Sequence, residues 1–197
     1  YGQIDSSIQE VNTKYTVINL DSKYFPNEKR TIKISLPRNY DKSKKYPVIY
    51  TLDGSVLFEM TSTYTHILDN QTIEDDYDYG TNVIPPSIIV GIFHNDRGLE
   101  TEPNFNGLGY LEKPDNLKKF IIFELIPFIN NNYNTSGYDC IIGHSNTAYF
   151  TTSLLFQNNN PFKGIIALSL VEGAPEFQEK LINTLNSDFD NSYFLGY

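Results

Sequence analysis

The stretch Tyr138–Phe150, YDCIIGHSNTAYF, holds a serine where its hydroxyl could act as a nucleophile. An apolar run, Cys140–Ile142, passes through Gly143 into Ser145, and Ala148, Thr151, Thr152 and Leu155 follow at helical spacing. In a strand, sharp turn and helix of this kind the serine hydroxyl projects above the sheet, and the next backbone N–H, here that of Asn146, points at the same space. Gly143 fits the first glycine of G-x-S-x-G, whereas Thr147 stands at the second, which predicts a slightly wider approach of helix to strand. Ala148 keeps the following position small. A bare match also arises at ordinary helix N-caps, so the flanking strand and helix carry the catalytic reading.

A serine hydroxyl needs a base to take its proton and an acid to orient that base. The chain has three histidines. His144 sits in the turn itself with its side chain expected to point away from the hydroxyl, and His66 falls on a helix flank. His94, followed by Asn95, Asp96 and Arg97, lies at the C-terminal end of the apolar strand Ser87–Ile92, the end at which open α/β sheets bind ligands. It is the one candidate for a surrogate base. Asp53-Gly54-Ser55 follows the strand Val48–Leu52 and reads most simply as a strand-to-helix turn; functionally, the N–H of Gly54 or Ser55 would supply half of an oxyanion hole. Asp188 and Asp190 precede the last strand, although a triad acid belongs at its C-terminal end.

The elements that position these residues alternate between strands and helices. Tyr15–Leu20 and Thr31–Leu36 are β-branched and alternating, with turn residues Phe25-Pro26-Asn27-Glu28 between them, and predict an antiparallel edge hairpin. Val48–Leu52, Ser87–Ile92, Cys140–Ile142 and Gly164–Leu168 are continuous apolar strands of the doubly buried kind, and Tyr193–Leu195 is a final strand. Helices are expected over Val56–Leu68, from an Asp115 cap through Phe128 with a kink or early end at Pro127, after Ser145, and over Pro175–Leu185. Residues 69–87 read as a solvated acidic loop, and Gly98–Gly109 as a loop over the site. The pattern defines a mostly parallel, doubly wound α/β sheet with helices on both faces, an N-terminal arm at 1–14 and a single domain over 15–197.

With 197 residues, a net charge of −9 and no Lys/Arg cluster beyond Lys42–Lys45, the chain is expected to repel nucleic acid. The 40% hydrophobic content excludes a disordered chain, and no apolar run reaches the ~18 residues of a membrane span. Cys140 is the single cysteine and reads as a small buried side chain. No ligand cluster implies a metal or organic cofactor, and no signal peptide is visible. Because the chain begins at Tyr1, export with a leader removed and a cytoplasmic location are both left open.

YPVIYTLDG at 46–54, SIIVGIFHNDR at 87–97, ELIPFINNNYN at 124–134, IIGHSNTA at 141–148 and FKGIIALS at 162–169, in that order, resemble the Putative esterase family of α/β-hydrolases. That family includes esterase D, feruloyl esterases, enterochelin-type siderophore esterases and mycolyltransferases. The resemblance runs from about Tyr15 to the last residue and implies an α/β-hydrolase fold, Ser145 as acyl nucleophile, and oxyanion donors at Asn146 and at Gly54 or Ser55. It also implies that His94, Asp96 and Arg97, with His144 nearby, line a site for a small-molecule ester. Family members place the triad acid just after the strand corresponding to Tyr193–Leu195 and the histidine after a further strand, so the expectation is a chain lacking its C-terminal part. The expected activity is that of a serine carboxylic ester hydrolase. An acyltransferase with the same nucleophile and a non-catalytic binding protein of the same fold are the alternatives.

Overall fold

The computed structural model describes residues 15–69, 84–101, 112–157, 159–170, 175–186 and 191–196. The expected arm at 1–14, most of the acidic loop, the later part of the Gly98–Gly109 loop, and Asp188 and Asp190 lie outside these residues.

Among the described residues, seven strands form one sheet in the order β1-β2-β4-β3-β5-β6-β7. The first two, β1 (Tyr15–Asp21) and β2 (Lys29–Ser35), make the expected antiparallel edge hairpin, paired from Tyr15 opposite Ser35 to Asp21 opposite Lys29. β2 runs antiparallel to β4 (Ile88–Ile92). From there β3 (Tyr46–Thr51), β5 (Thr135–His144), β6 (Gly164–Leu168) and β7 (Ser192–Gly196) continue in parallel. The long apolar runs became central strands because only a strand covered on both sides can leave no apolar residue wet. All five residues of β4 are buried.

Alternation along β4 shows how the two faces are covered. Ile88, Val90 and Ile92 point into the main core with Leu117, Phe120, Leu125, Ile129, Phe150 and Phe162. Gly91 faces the other way, where Phe58 of helix α1 (Leu57–Leu68) lies so close that a Cβ on Gly91 would sit 2.7 Å from its ring. Phe58 is fully buried, a transfer contribution of about 2–3 kcal/mol.

Three local expectations are corrected. The stretch Gly98–Gly109 opens on a short helix, α2 (Arg97–Thr101), because Asp96 Oδ1 accepts the Leu99 N–H and starts it. Helix α3 begins at Glu112, so Asp115 lies inside its first turns and pairs with Lys118 and Lys119 at 2.7 and 2.6 Å instead of capping. Pro127 does not end that helix. A π-helical turn over Ile121–Leu125 precedes α4 (Ile126–Asn132), placing proline in the first turn of a fresh α segment where its missing N–H costs least.

β5 also carries a strained feature of the core. Asp139 is 5% exposed, and neither its Oδ1 nor the Tyr50 hydroxyl has a hydrogen-bond partner among the described residues. Burial pushes the Asp139 carboxyl up to about 6, and burial, with the Asp139 charge beside it, pushes the Cys140 thiol up to about 11. Cys140 is accordingly a packing residue with little thiolate at neutral pH. A carboxyl raised on folding keeps its proton where the unfolded chain has lost it. Its contribution is therefore most favourable below the unfolded pKa near 4 and declines as pH rises to about 6, by on the order of 2–3 kcal/mol. Urea denaturation should show higher stability at pH 5 than at pH 7.5, and Asp139→Asn should flatten this difference by raising stability at pH 7.5. An unchanged pH profile in the variant would refute the assignment.

Candidate active site

β5 ends at His144, α5 spans Asn146–Ser153, and Ser145 is the whole of the turn between them. Its backbone stands at φ 60°, ψ −122°, a conformation that costs a non-glycine residue about 1–3 kcal/mol and persists only when its surroundings hold it. Two contacts do so. The Ser145 N–H donates to Leu168 O at the end of β6 (2.9 Å), and Ser145 O accepts from Ala148 and Tyr149 in the first turn of α5. Gly143 is required for a different reason: a Cβ there would lie 2.2 Å from Thr147 O, inside the helix backbone. Gly143→Ala should therefore cost at least about 3 kcal/mol, at the upper end of overpacking penalties, measured as a fall in the urea midpoint. A loss under 1 kcal/mol would show that the turn is looser than described.

Thr147 does not simply hold the helix away. It is fully buried, and its Oγ1 accepts the His144 N–H (2.7 Å) while lying 2.8 Å from Asp53 Oδ2 and 2.9 Å from His144 O. Its one proton is drawn to the carboxylate, the stronger acceptor. Asp53, at the end of β3 with φ 54°, also receives Arg97 through Nε (2.5 Å) and Nη2 (3.1 Å). Arg97 Nη2 reaches on to His144 O at 3.1 Å. The ends of β3, β4 and β5 are thus joined by one carboxylate and one guanidinium.

Beneath this lies a second group that sequence reasoning missed. Arg30 and Glu100 are fully buried and meet as a two-pronged pair, Nη1–Oε1 and Nη2–Oε2 both at 2.7 Å. Glu100 Oε1 also accepts the N–H groups of Asn95 (3.1 Å) and Asp96 (3.3 Å), fixing the loop after β4. Burial alone would raise the Glu100 carboxyl; hydrogen bonds from Arg30 and His94 override it and hold it at about 2. The sequence does carry a signal for Arg30, since it shares the inward parity of Ile32 and Ile34 on β2.

The site residues named from the sequence divide accordingly. Ser145 forms the turn and Asn146 opens the helix after it. Gly54 is close-packed, its missing Cβ replaced by the Phe93 ring and Ile92 O, and its N–H donates to Ile92 O at 2.9 Å. Ser55, exposed in the same turn, is the other of the two residues expected there. Arg97 meets the turn directly, while Asp96 caps α2 and is exposed. The His144 side chain is exposed, so its role inside the structure is through its main chain. His94 is corrected as a surrogate base: its side chain is 5% exposed, Nδ1–H donates to Glu100 Oε2 (2.8 Å), and Nε2 accepts the Asp53 N–H (3.3 Å). With both ring nitrogens engaged it positions the β3 and β4 ends. Among the described residues, no side chain hydrogen-bonds the Ser145 hydroxyl, no group of three or more His, Cys, Asp or Glu is placed for a metal, and no helix is long and apolar enough to cross a membrane.

A mostly parallel sheet with an antiparallel edge pair, and a serine on a strained strand-to-helix turn at its C-terminal edge, define the α/β-hydrolase class. Residues 22–187 match the Putative esterase family, and the chain belongs to it. Among solved structures it is similar to an IroE-like serine hydrolase from Shewanella oneidensis, with 25% identity and a TM-score of 0.77 over 92% of this chain and 60% of that one. The BES protein from Bacillus cereus (24%, TM-score 0.73, 98% of this chain and 78% of that one) and the siderophore hydrolase EstA from Aspergillus nidulans (15%, 0.70, 99% and 72%) share the fold. The chain thus spans 60% of the length of the Shewanella hydrolase. No curated protein matches the sequence.

Proposed function

We propose that the chain carries the nucleophile and oxyanion hole of a serine carboxylic ester hydrolase acting on a small-molecule ester. The observation that carries the reading is Ser145 at φ 60°, ψ −122°, braced by Leu168 O, with the Asn146 N–H at the start of α5 beside it. Ser145 Oγ attacks the ester carbonyl as a base takes its proton. The Asn146 N–H and the Ser55 N–H receive the oxyanion of the tetrahedral intermediate. Collapse expels the alcohol with a proton and leaves an acyl group on Ser145, which water then removes by the same steps. The base and its acid come from outside the described residues, since His94 is engaged elsewhere. Membership of the esterase family supports the reaction class, and the siderophore hydrolase of like fold supports a small-molecule ester.

The test is treatment of the full-length protein with a fluorophosphonate, followed by peptide mass analysis. One adduct on the peptide containing Ser145 is expected. Absence of any adduct, in protein shown to be folded, would overturn the hydrolase reading in favour of a binding protein.

A further inference from the structure

The two proposed oxyanion donors belong to different elements. Asn146 opens α5 behind β5, and Ser55 sits in the turn after β3. An oxyanion hole works only if both N–H groups converge on one point about 3 Å from each, so the spacing of these two elements matters to the chemistry. Strand pairing sets it coarsely, through Thr51 opposite Ile142 and the Leu52 N–H to Ile142 O bond at 3.0 Å. Beyond those residues the two chains diverge into separate turns, and each turn holds a residue with φ above zero, Asp53 at 54° and Ser145 at 60°.

We propose that Thr147 is a positioning residue, and that its bond to Asp53 is a latch setting the separation of the two oxyanion donors. Thr147 is the residue next to Asn146; Asp53 is two before Ser55. The 2.8 Å bond between them is buried and spans the gap directly. Arg97 also holds the Asp53 carboxylate, through Nε to Oδ1 and Nη2 to Oδ2, and grips His144 O, so the carboxylate cannot rotate away without breaking a two-pronged ion pair. The position matters because a glycine there has no group to form this bond. Where the G-x-S-x-G pattern obtains close approach from a missing side chain, this chain makes an attachment with a present one. This inference rests on the hydrolase reading for its catalytic meaning, while the latch is a property of the fold.

The experiment compares the full-length protein with Thr147→Val, which keeps the shape and loses the hydroxyl, and Thr147→Ser, which keeps the hydroxyl. Two readouts are taken. Backbone amide exchange over residues 53–56 and 144–148 reports the latch without reference to activity; Thr147→Val should exchange at least about 10-fold faster there, with Thr147→Ser close to the parent. Ester hydrolysis reports its consequence: kcat should fall about 10- to 100-fold in Thr147→Val with KM within about threefold, and Thr147→Ser should recover most of it. Unchanged exchange in Thr147→Val overturns the latch whatever the activity. Faster exchange in a Thr147→Val protein whose kcat matches the parent overturns its role in catalysis. Faster exchange in a protein whose parent never reacts with a fluorophosphonate leaves the latch standing and removes the hydrolase reading.

Discussion

Ser145→Ala is expected to reduce ester hydrolysis by about 10⁴-fold or more and to abolish fluorophosphonate labelling, because nothing else in the strand-to-helix turn can accept an acyl group. The substitution keeps a Cβ at φ 60°, so thermal stability should remain within a few degrees of the parent. Ser145→Gly should be equally inactive but more stable. Glycine occupies this backbone region freely, and release of the strain is worth about 1–2 kcal/mol, or roughly 2–8 °C in Tm for a chain of this size. Stability gained at the expense of activity would mark the turn as strained for function. If Ser145→Ala retained more than a tenth of the parent's hydrolysis, the nucleophile would lie elsewhere. If Ser145→Gly were no more stable, the strain would be absent.

Glu100→Ala should have the largest effect on stability. Removing one member of a buried ion pair leaves the other charged and unpartnered, at about 3–5 kcal/mol. Arg30 would keep one hydrogen bond, to Phe93 O at 3.1 Å, its place against the Phe25 and Phe120 rings, and a long 3.9 Å contact with the partly exposed Glu28 carboxylate, which offsets the buried charge only weakly. The His94 ring and the Asn95 and Asp96 N–H groups would lose their acceptor as well. A Tm about 10 °C below the parent is expected, from roughly 2–4 °C per kcal/mol for a domain of this length. The acid limb follows with a definite sign. Glu100, held at about 2 in the folded chain, contributes fully above the unfolded glutamate range near 4.3 and loses that contribution as pH falls towards 2. The parent should therefore lose stability steeply below pH 4, and Glu100→Ala should lose much less over the same interval. Equal acid sensitivity in both proteins would show that other carboxylates govern acid unfolding.

The two carboxyl groups pull in opposite directions. Asp139, raised, destabilises the chain as pH climbs towards 6; Glu100, lowered, destabilises it as pH drops below 4. The pair places the stability maximum on the mildly acidic side of neutrality.

Much of the fold was legible in the order of residues because the signals are local. A run such as Ile88–Ile92 has no polar residue to expose, and so reads as a central strand without knowledge of its neighbours. The bounds Gly164–Leu168 and Pro175–Leu185 were readable for the same kind of reason, from turn residues before the strand and a proline at the helix start. The serine turn was legible from Gly143 and Ser145, two residues apart between a strand and a helix. Helix starts were less so: Asp115 resembles a cap, yet Pro114 is equally suited to the first turn of a helix that begins at Glu112, and capping preference cannot choose between the two starts.

What only the tertiary structure decided is how distant polar residues pair. Asp53 and Thr147 are 94 positions apart, and Arg30 and Glu100 are 70 apart. Nothing in the chemistry of a lone Asp, Thr, Arg or Glu distinguishes a buried partner from a solvated side chain. The sheet order, with β3 seated between β4 and β5, brings the ends of those strands within hydrogen-bond reach. The sequence by itself determined the strands, the turn and the serine upon it, since these follow from periodicity and backbone preference within a dozen residues. Which backbone N–H is already bonded, which histidine is already engaged, and what a threonine at the second glycine of the turn touches depend on distances across the sheet that no local pattern encodes.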